Sequence, residues 1–149
     1  MSGERREPAI ADTLTFRLLV AANRLGQPFA QQFGHRLGIT LTQWRCIMAL
    51  AVEPGASGEA VARRMGLEKM TVSRALRRLD RLAYAEPSGP GNRRAWRLTA
   101  SGWRIVDEIM PVALERDRAA LAGVGEAERA AVATVLERIA AAPDRTDAD

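Results

Sequence analysis

Residues 68–84 read EKMTVSRALRRLDRLAY. Val72, Leu76, Leu79 and Ala83 fall at i, i+4, i+7 and i+11, which is one stripe of an α-helix. The other faces carry Lys69, Thr71, Ser73, Arg74, Arg77, Arg78 and Arg81. A helix with one apolar seam and a basic, hydroxyl-bearing remainder packs on one side and meets a polyanion on the other. Upstream, Ser57 to Met65 reads as a shorter amphipathic helix with Ala60, Val61 and Met65 inward. Only Gly66, Leu67 and Glu68 join the two, and Gly66 can take the left-handed conformation that ends a helix. Two short helices across a tight turn, the second one basic, predict a helix-turn-helix.

The next residues decide the subtype. Ala85-Glu86-Pro87-Ser88 is a short run, Gly89-Pro90-Gly91-Asn92 a turn-rich tip, and Ala95-Trp96-Arg97-Leu98 a second short run. Trp96 and Leu98 alternate with Arg97 as in a half-buried strand. Arg93 and Arg94 stand side by side at the free end. The pattern predicts a small hairpin wing, so the expected fold is mainly α with a β-hairpin: a winged helix-turn-helix.

Taken together, these pieces resemble the multiple-antibiotic-resistance regulator (MarR) family of bacterial transcription factors. The matching residues are Leu41-Thr42-Gln43-Trp44-Arg45, Thr71-Val72-Ser73-Arg74, Leu79-Asp80, Asn92-Arg93-Arg94 and Leu98-Thr99-Ala100-Ser101-Gly102. The similarity runs from about Asp12 to Ala142, and the order of the motifs carries it more than any one of them. Two positions depart from the family's habit. Asn92 stands where an Asp usually braces the wing tip, and Ala83 where a Gly usually ends the recognition helix. The entry into the first wing strand is therefore expected to differ slightly. The resemblance implies N- and C-terminal helices interlocking about a two-fold axis. It also implies repression of a pseudo-palindromic operator, relieved by a small aromatic or anionic effector bound between those helices and the winged domain.

The composition agrees with a nucleic-acid binder. The chain has 149 residues and a net charge of +4. Between His35 and Leu98 there are twelve basic and five acidic residues, and the remainder holds ten and thirteen. Positive charge is thus concentrated on the predicted DNA-binding unit. All but one of the basic residues are Arg, a bias that codon usage accounts for; codon usage does not explain the segregation of sign. Charges interrupt every apolar stretch, so no membrane span is expected. The opening MSGERREP lacks a hydrophobic signal region. Cys46 is the only cysteine, which excludes an intrachain disulfide framework and fits a reducing cytoplasm.

In chain order, residues 1–10 and 143–149 read as disordered tails. Residues 11–34 and 100–142 read as a helical dimerisation region flanking a winged helix-turn-helix at 35–99. Asp12 or Thr13 can cap a first helix with Leu14, Leu18, Leu25, Phe29 and Phe33 on one side, and with a kink at Pro28. Gly34 and Gly38 open a connection. Thr40 to Gln43 has capping-box spacing for a helix carrying Trp44, Ile47, Met48 and Ala51 inward. Thr99 caps a long helix whose expected line runs through Trp103, Val106, Met110, Ala113 or Leu114, and Asp117 towards Leu121, bent at Pro111. A last helix from Glu126 aligns Val135 and Ile139. The two ends together offer more apolar face than a lone small domain needs, which favours dimerisation over an intrachain helical cap.

The candidate DNA-binding residues are Lys69, Thr71, Ser73, Arg74, Arg77, Arg78, Arg93 and Arg94. Arg74 and Arg77 can fork onto guanine O6 and N7, and the hydroxyls of Thr71 and Ser73 can donate to phosphate or base edges. Lys69 and Arg78 suit phosphates, which fix register. Arg93 and Arg94 suit the narrow minor groove of A·T-rich flanks. No metal site is expected, since His35 is the sole histidine and lacks a partner at ligand spacing. No cofactor is expected, and no catalytic pair or phosphate loop is present to make an enzyme. Trp44, Phe33, His35 and Met48 lie near the effector junction in sequence order, with core packing the plainer reading of each. Cys46 reads as a small buried thiol rather than a redox sensor. The alternatives are a winged helix used for protein contact and a DNA-binding protein without an effector.

Overall fold

The computed structural model describes residues 9–89 and 95–142. Residues 1–8 and 143–149, read as tails, lie outside the described residues, as do Asn92, Arg93 and Arg94 at the wing tip. A 3-10 turn at Ala9–Asp12 precedes α1 (Leu14–Phe29), so helical structure begins before residue 10. Pro28 brings no N–H to the helical ladder. Just beyond it the helix widens into one π turn at Ala30–Gly34 and runs on into α2 (His35–Leu37). The chain turns only at Gly38, where φ is 65°, and not at Gly34.

The winged unit follows the expected order. It comprises α3 (Leu41–Val52), α4 (Gly58–Met65), α5 (Lys69–Arg81), β1 (Ala85–Ser88) and β2 (Ala95–Leu98). Each start has a local cause. The Gln43 N–H donates to Thr40 Oγ1 while the Thr40 N–H donates to Gln43 Oε1, closing the capping box of α3. Ser57 Oγ accepts from the Ala60 N–H, and Gly66 ends α4 at φ 60°. The strands pair antiparallel with Ala85 opposite Leu98. The α3–α4 turn pins the second strand from its other edge, through Trp96 N–H to the Ala56 carbonyl and Gly55 N–H to the Trp96 carbonyl. The core lies where α3, α4 and α5 meet, with Ile47, Leu50, Val61, Val72, Leu76 and Leu79 its largest fully enclosed side chains.

The ends of the chain form α1, α6 (Ala100–Ala120) and α7 (Glu126–Ala141). Three expectations need correction. The recognition helix ends at Arg81, short of Ala83 in the expected stripe, because Ala83 turns left-handed. The buried side of α6 is Gly102, Ile105 and Ile109, with Val106 and Met110 half-buried beside them, while Trp103 and Leu114, and Leu121 just past the helix, are exposed. The missing side chain of Gly102 lets α6 lie against the Tyr84 carbonyl, which brings Ile105 and Ile109 into the core beside Val106 and Met110 of the expected line. Of the expected first-helix stripe, Phe29 on α1 and Phe33 in the π turn are buried, but Leu14 and Leu25 are exposed. Val135 and Ile139 on α7 are exposed as well, together with Val132 and Leu136.

Candidate nucleic-acid interface

The presenting element is α5. Its apolar seam, Val72, Ala75, Leu76 and Leu79, is buried against α3, α4 and the wing. Opposite that seam, at i, i+4, i+7 and i+11, stand Met70, Arg74, Arg77 and Arg81, all exposed. Arg78 is exposed beside them. Arg74, Arg78 and Arg81 make no ion pair among the described residues. Three guanidinium groups on one rod, without an ion pair among the described residues, present their charge to an external anion.

The hydroxyl and amine groups behave differently from the arginines. Glu68 is the N-cap of α5: its carboxylate accepts from the N–H groups of Met70 and Thr71, both at 2.8 Å. It also accepts from the Thr71 hydroxyl at 2.9 Å. The hydrogen bond from the Met70 N–H, with those from Thr71, holds the Glu68 carboxyl below the usual carboxylate range. Thr71 is half-buried, and its hydroxyl hydrogen is committed within the protein. Ser73, also half-buried, accepts from Arg77 at 3.1 Å and keeps its own hydrogen to donate. Lys69 is exposed, but its Nζ lies 2.8 Å from Glu59 Oε1. The hydrogen bond from Lys69 lowers the Glu59 carboxyl in turn.

All six of the predicted α5 contacts therefore lie on the free side or flank of one helix. Arg93 and Arg94 fall outside the described residues. The hairpin that carries them is present up to Gly89 and from Ala95, with Arg97 paired to Glu86 at its stem. Sequence reasoning missed Glu59, Glu68 and Met70. Glu68 was findable as the last acidic residue before the helix, at the position where a carboxylate caps. Met70 was findable as the residue one turn before Arg74.

A second feature lies behind the winged unit. Between α1, the π turn, α3 and α6 is a cavity of about 320 Å³. Phe29 and Trp44 stack in its wall with ring centroids 5.7 Å apart, and Phe33 and Met48 complete the apolar side. Arg45, Arg116 and Asp117 supply the polar side, Arg116 also bonding to Gln32 Oε1 at 2.7 Å. His35 is exposed and does not line this space. A wider gap of about 870 Å³ separates the end of α7 from α4 and its turn, but it has no aromatic wall. Cys46 is fully buried, and loss of solvent pushes its thiol up to about 11, so it stays protonated and unreactive. Among the described residues no group of three or more His, Cys, Asp or Glu is arranged to hold a metal ion.

Comparison with known proteins accords with this geometry. Residues 37–95 match the model of the MarR family. Curated protein sequences give no match. Among solved structures, a MarR/EmrR family transcriptional regulator from Acinetobacter sp. ADP1 is 27% identical. The match covers 87% of this chain and 94% of that one, with a TM-score of 0.75. Bordetella bronchiseptica BpsR, whose DNA binding is regulated by 6-hydroxynicotinic acid, is 24% identical over 89% and 96% of the two chains, with a TM-score of 0.73. S. aureus MepR in complex with DNA is 20% identical over 85% and 95%, with a TM-score of 0.72. The family match over the winged unit, the shared architecture beyond it and the ordered motifs together give this chain the winged-helix fold of MarR-family transcriptional regulators, which it resembles along most of its length.

Proposed function

We propose that the protein is a homodimeric repressor that binds a pseudo-palindromic operator and is released from it by a small aromatic anion. The observation that carries the DNA-binding part is the exposed row Arg74, Arg77 and Arg81 directly opposite the buried seam of α5. Such a row enters the major groove, where Arg74 and Arg77 fork onto guanine and Arg78 holds phosphate. Ser73 donates alongside them. Lys69 contributes once its pair with Glu59 opens, and Arg93 and Arg94 reach the minor groove. The outward apolar residues of α1, α6 and α7 support dimerisation, and a two-fold dimer reads half-sites about one helical turn apart. The function sets the protein in the cytoplasm with its DNA; no described helix is long and apolar enough to cross a membrane.

The effector part rests on the stacked Phe29–Trp44 wall with Arg45 and Arg116 at its edge, a slot suited to a flat ring bearing a carboxylate. The relative regulated by 6-hydroxynicotinic acid supports that chemistry. Fluorescence anisotropy against random DNA and against the DNA upstream of the gene is the deciding experiment. Sequence-selective, salt-sensitive binding is expected, with release by hydroxylated aromatic carboxylates. Indifference to every duplex would instead favour a winged helix that binds protein, and selective binding unmoved by any such acid would favour an effector-independent regulator.

A further inference from the structure

We propose that Met70 reads a base: its side chain packs on the 5-methyl group of a thymine in the major groove, at one position in each half-site. The proposal rests on the DNA-binding reading of α5. At about 100° per residue, Val72 and Leu79 lie roughly 200° and 180° around the helix from Met70. Met70 therefore points straight away from the core, in line with Arg74, Arg77 and Arg81. It is 58% exposed, whereas Val72, Leu76 and Leu79, the other large apolar side chains of α5, are buried.

The groups around it have other commitments. Lys69 holds Glu59, the Thr71 hydroxyl holds Glu68, and the Met70 and Thr71 N–H groups are capped by the same carboxylate. A free helix N-terminus attracts phosphate through its N–H groups and its dipole. Here the Met70 and Thr71 donors are occupied by the Glu68 carboxylate, so they are not free for the phosphate backbone. The arginines one turn behind pull the same helix toward the duplex. That arrangement directs the tip at the groove floor and away from its walls, with a thioether as its foremost uncommitted group. Among major-groove base edges the thymine 5-methyl is the apolar one. Any other edge at that point would lose water without gaining a hydrogen bond.

The test uses the full chain and duplexes enriched by selection from random DNA, with each thymine replaced singly by deoxyuridine, which removes only the methyl group. One thymine per half-site is expected at which this replacement weakens binding about fourfold. Met70→Gln, which keeps length and helix propensity, is expected to bind the thymine and uracil duplexes equally. Met70→Leu is expected to keep the preference. A wild-type chain that binds selected DNA but ignores every uracil, or a Met70→Gln chain with the full uracil penalty, overturns the proposal and leaves the operator reading intact. A wild-type chain that enriches no duplex at all overturns both.

Discussion

Ala83 holds a backbone shape that L residues avoid, with φ at 57°. Three hydrogen bonds impose it: Ala83 N–H to the Asp80 carbonyl, Tyr84 N–H to the Leu79 carbonyl, and the Thr99 hydroxyl to the Ala83 carbonyl at 2.6 Å. Alanine thus makes the same left-handed turn that glycine would make, and the first wing strand starts at Ala85 regardless. The cost is of the order of 1–2 kcal/mol for Cβ crowding, partly offset by glycine's larger entropy when unfolded. Ala83→Gly is therefore expected to stabilise the fold by about 0.5–1 kcal/mol in urea denaturation. A lower midpoint would show that the alanine is unstrained. Gly102 is the opposite case, since a Cβ there would sit 2.0 Å from the Tyr84 carbonyl oxygen. That neighbour is backbone and cannot swing aside. Gly102→Ala is expected to cost about 1–3 kcal/mol, and to loosen the contact between α6 and the wing.

At the scale of the element, α5 combines a cationic row with an acidic cap, and the two have separable consequences. Removing Arg74 takes away a candidate base contact, so Arg74→Ala is expected to lose about 1–3 kcal/mol of operator affinity at particular base positions. Glu59→Gln should do the reverse, because it frees Lys69 for the duplex. Non-specific binding is expected to tighten and the salt slope to steepen by about one ion per subunit, and an unchanged slope would show that Lys69 never reaches phosphate. The cap can be followed by pH. Glu68 has its folded pKa below the ordinary carboxylate value, so the unfolded chain binds more protons as acid is added. Its stabilising contribution is present above that value and fades as pH falls through the folded pKa. Wild type and Glu68→Gln should thus differ in stability near neutrality and converge in acid. The helix seam, the Thr40, Ser57 and Thr99 caps and the hairpin were legible in the sequence because each depends on residues within a turn or two. The direction α6 faces was not, because it depends on one backbone approach between Gly102 and Tyr84. The occupancy of the Lys69 and Thr71 side chains was equally hidden, since Glu59 and Glu68 reach them only after α4 and α5 are set at their turn.

At the scale of the whole molecule, the proposed dimer has apolar surface to bury. Leu14, Leu19 and Leu25 on α1, Leu114 on α6, Leu121 at its C-terminal cap, and Val132, Val135, Leu136 and Ile139 on α7 are all exposed large apolar side chains. They come from both ends of the chain, while the winged unit between them keeps its own core closed. Fully burying such a side chain contributes about 1.5–3 kcal/mol, so half-exposed ones retain roughly 1 kcal/mol each for a partner. A symmetric interface uses every such residue twice. Charged groups on α7 alone should therefore dissolve the assembly without unfolding the winged unit. Val135→Asp with Ile139→Asp is expected to sediment as a monomer at micromolar concentration and to lose the rise of melting temperature with protein concentration that a dimer shows. The same variant should keep its weak affinity for an isolated half-site and lose tight binding to the full repeat, because α5 and its arginines are untouched and only the second engagement is removed. A monomeric wild type with undiminished affinity for the repeat would refute the two-fold reading. Dimeric behaviour in the double variant would move the interface to α1 and α6.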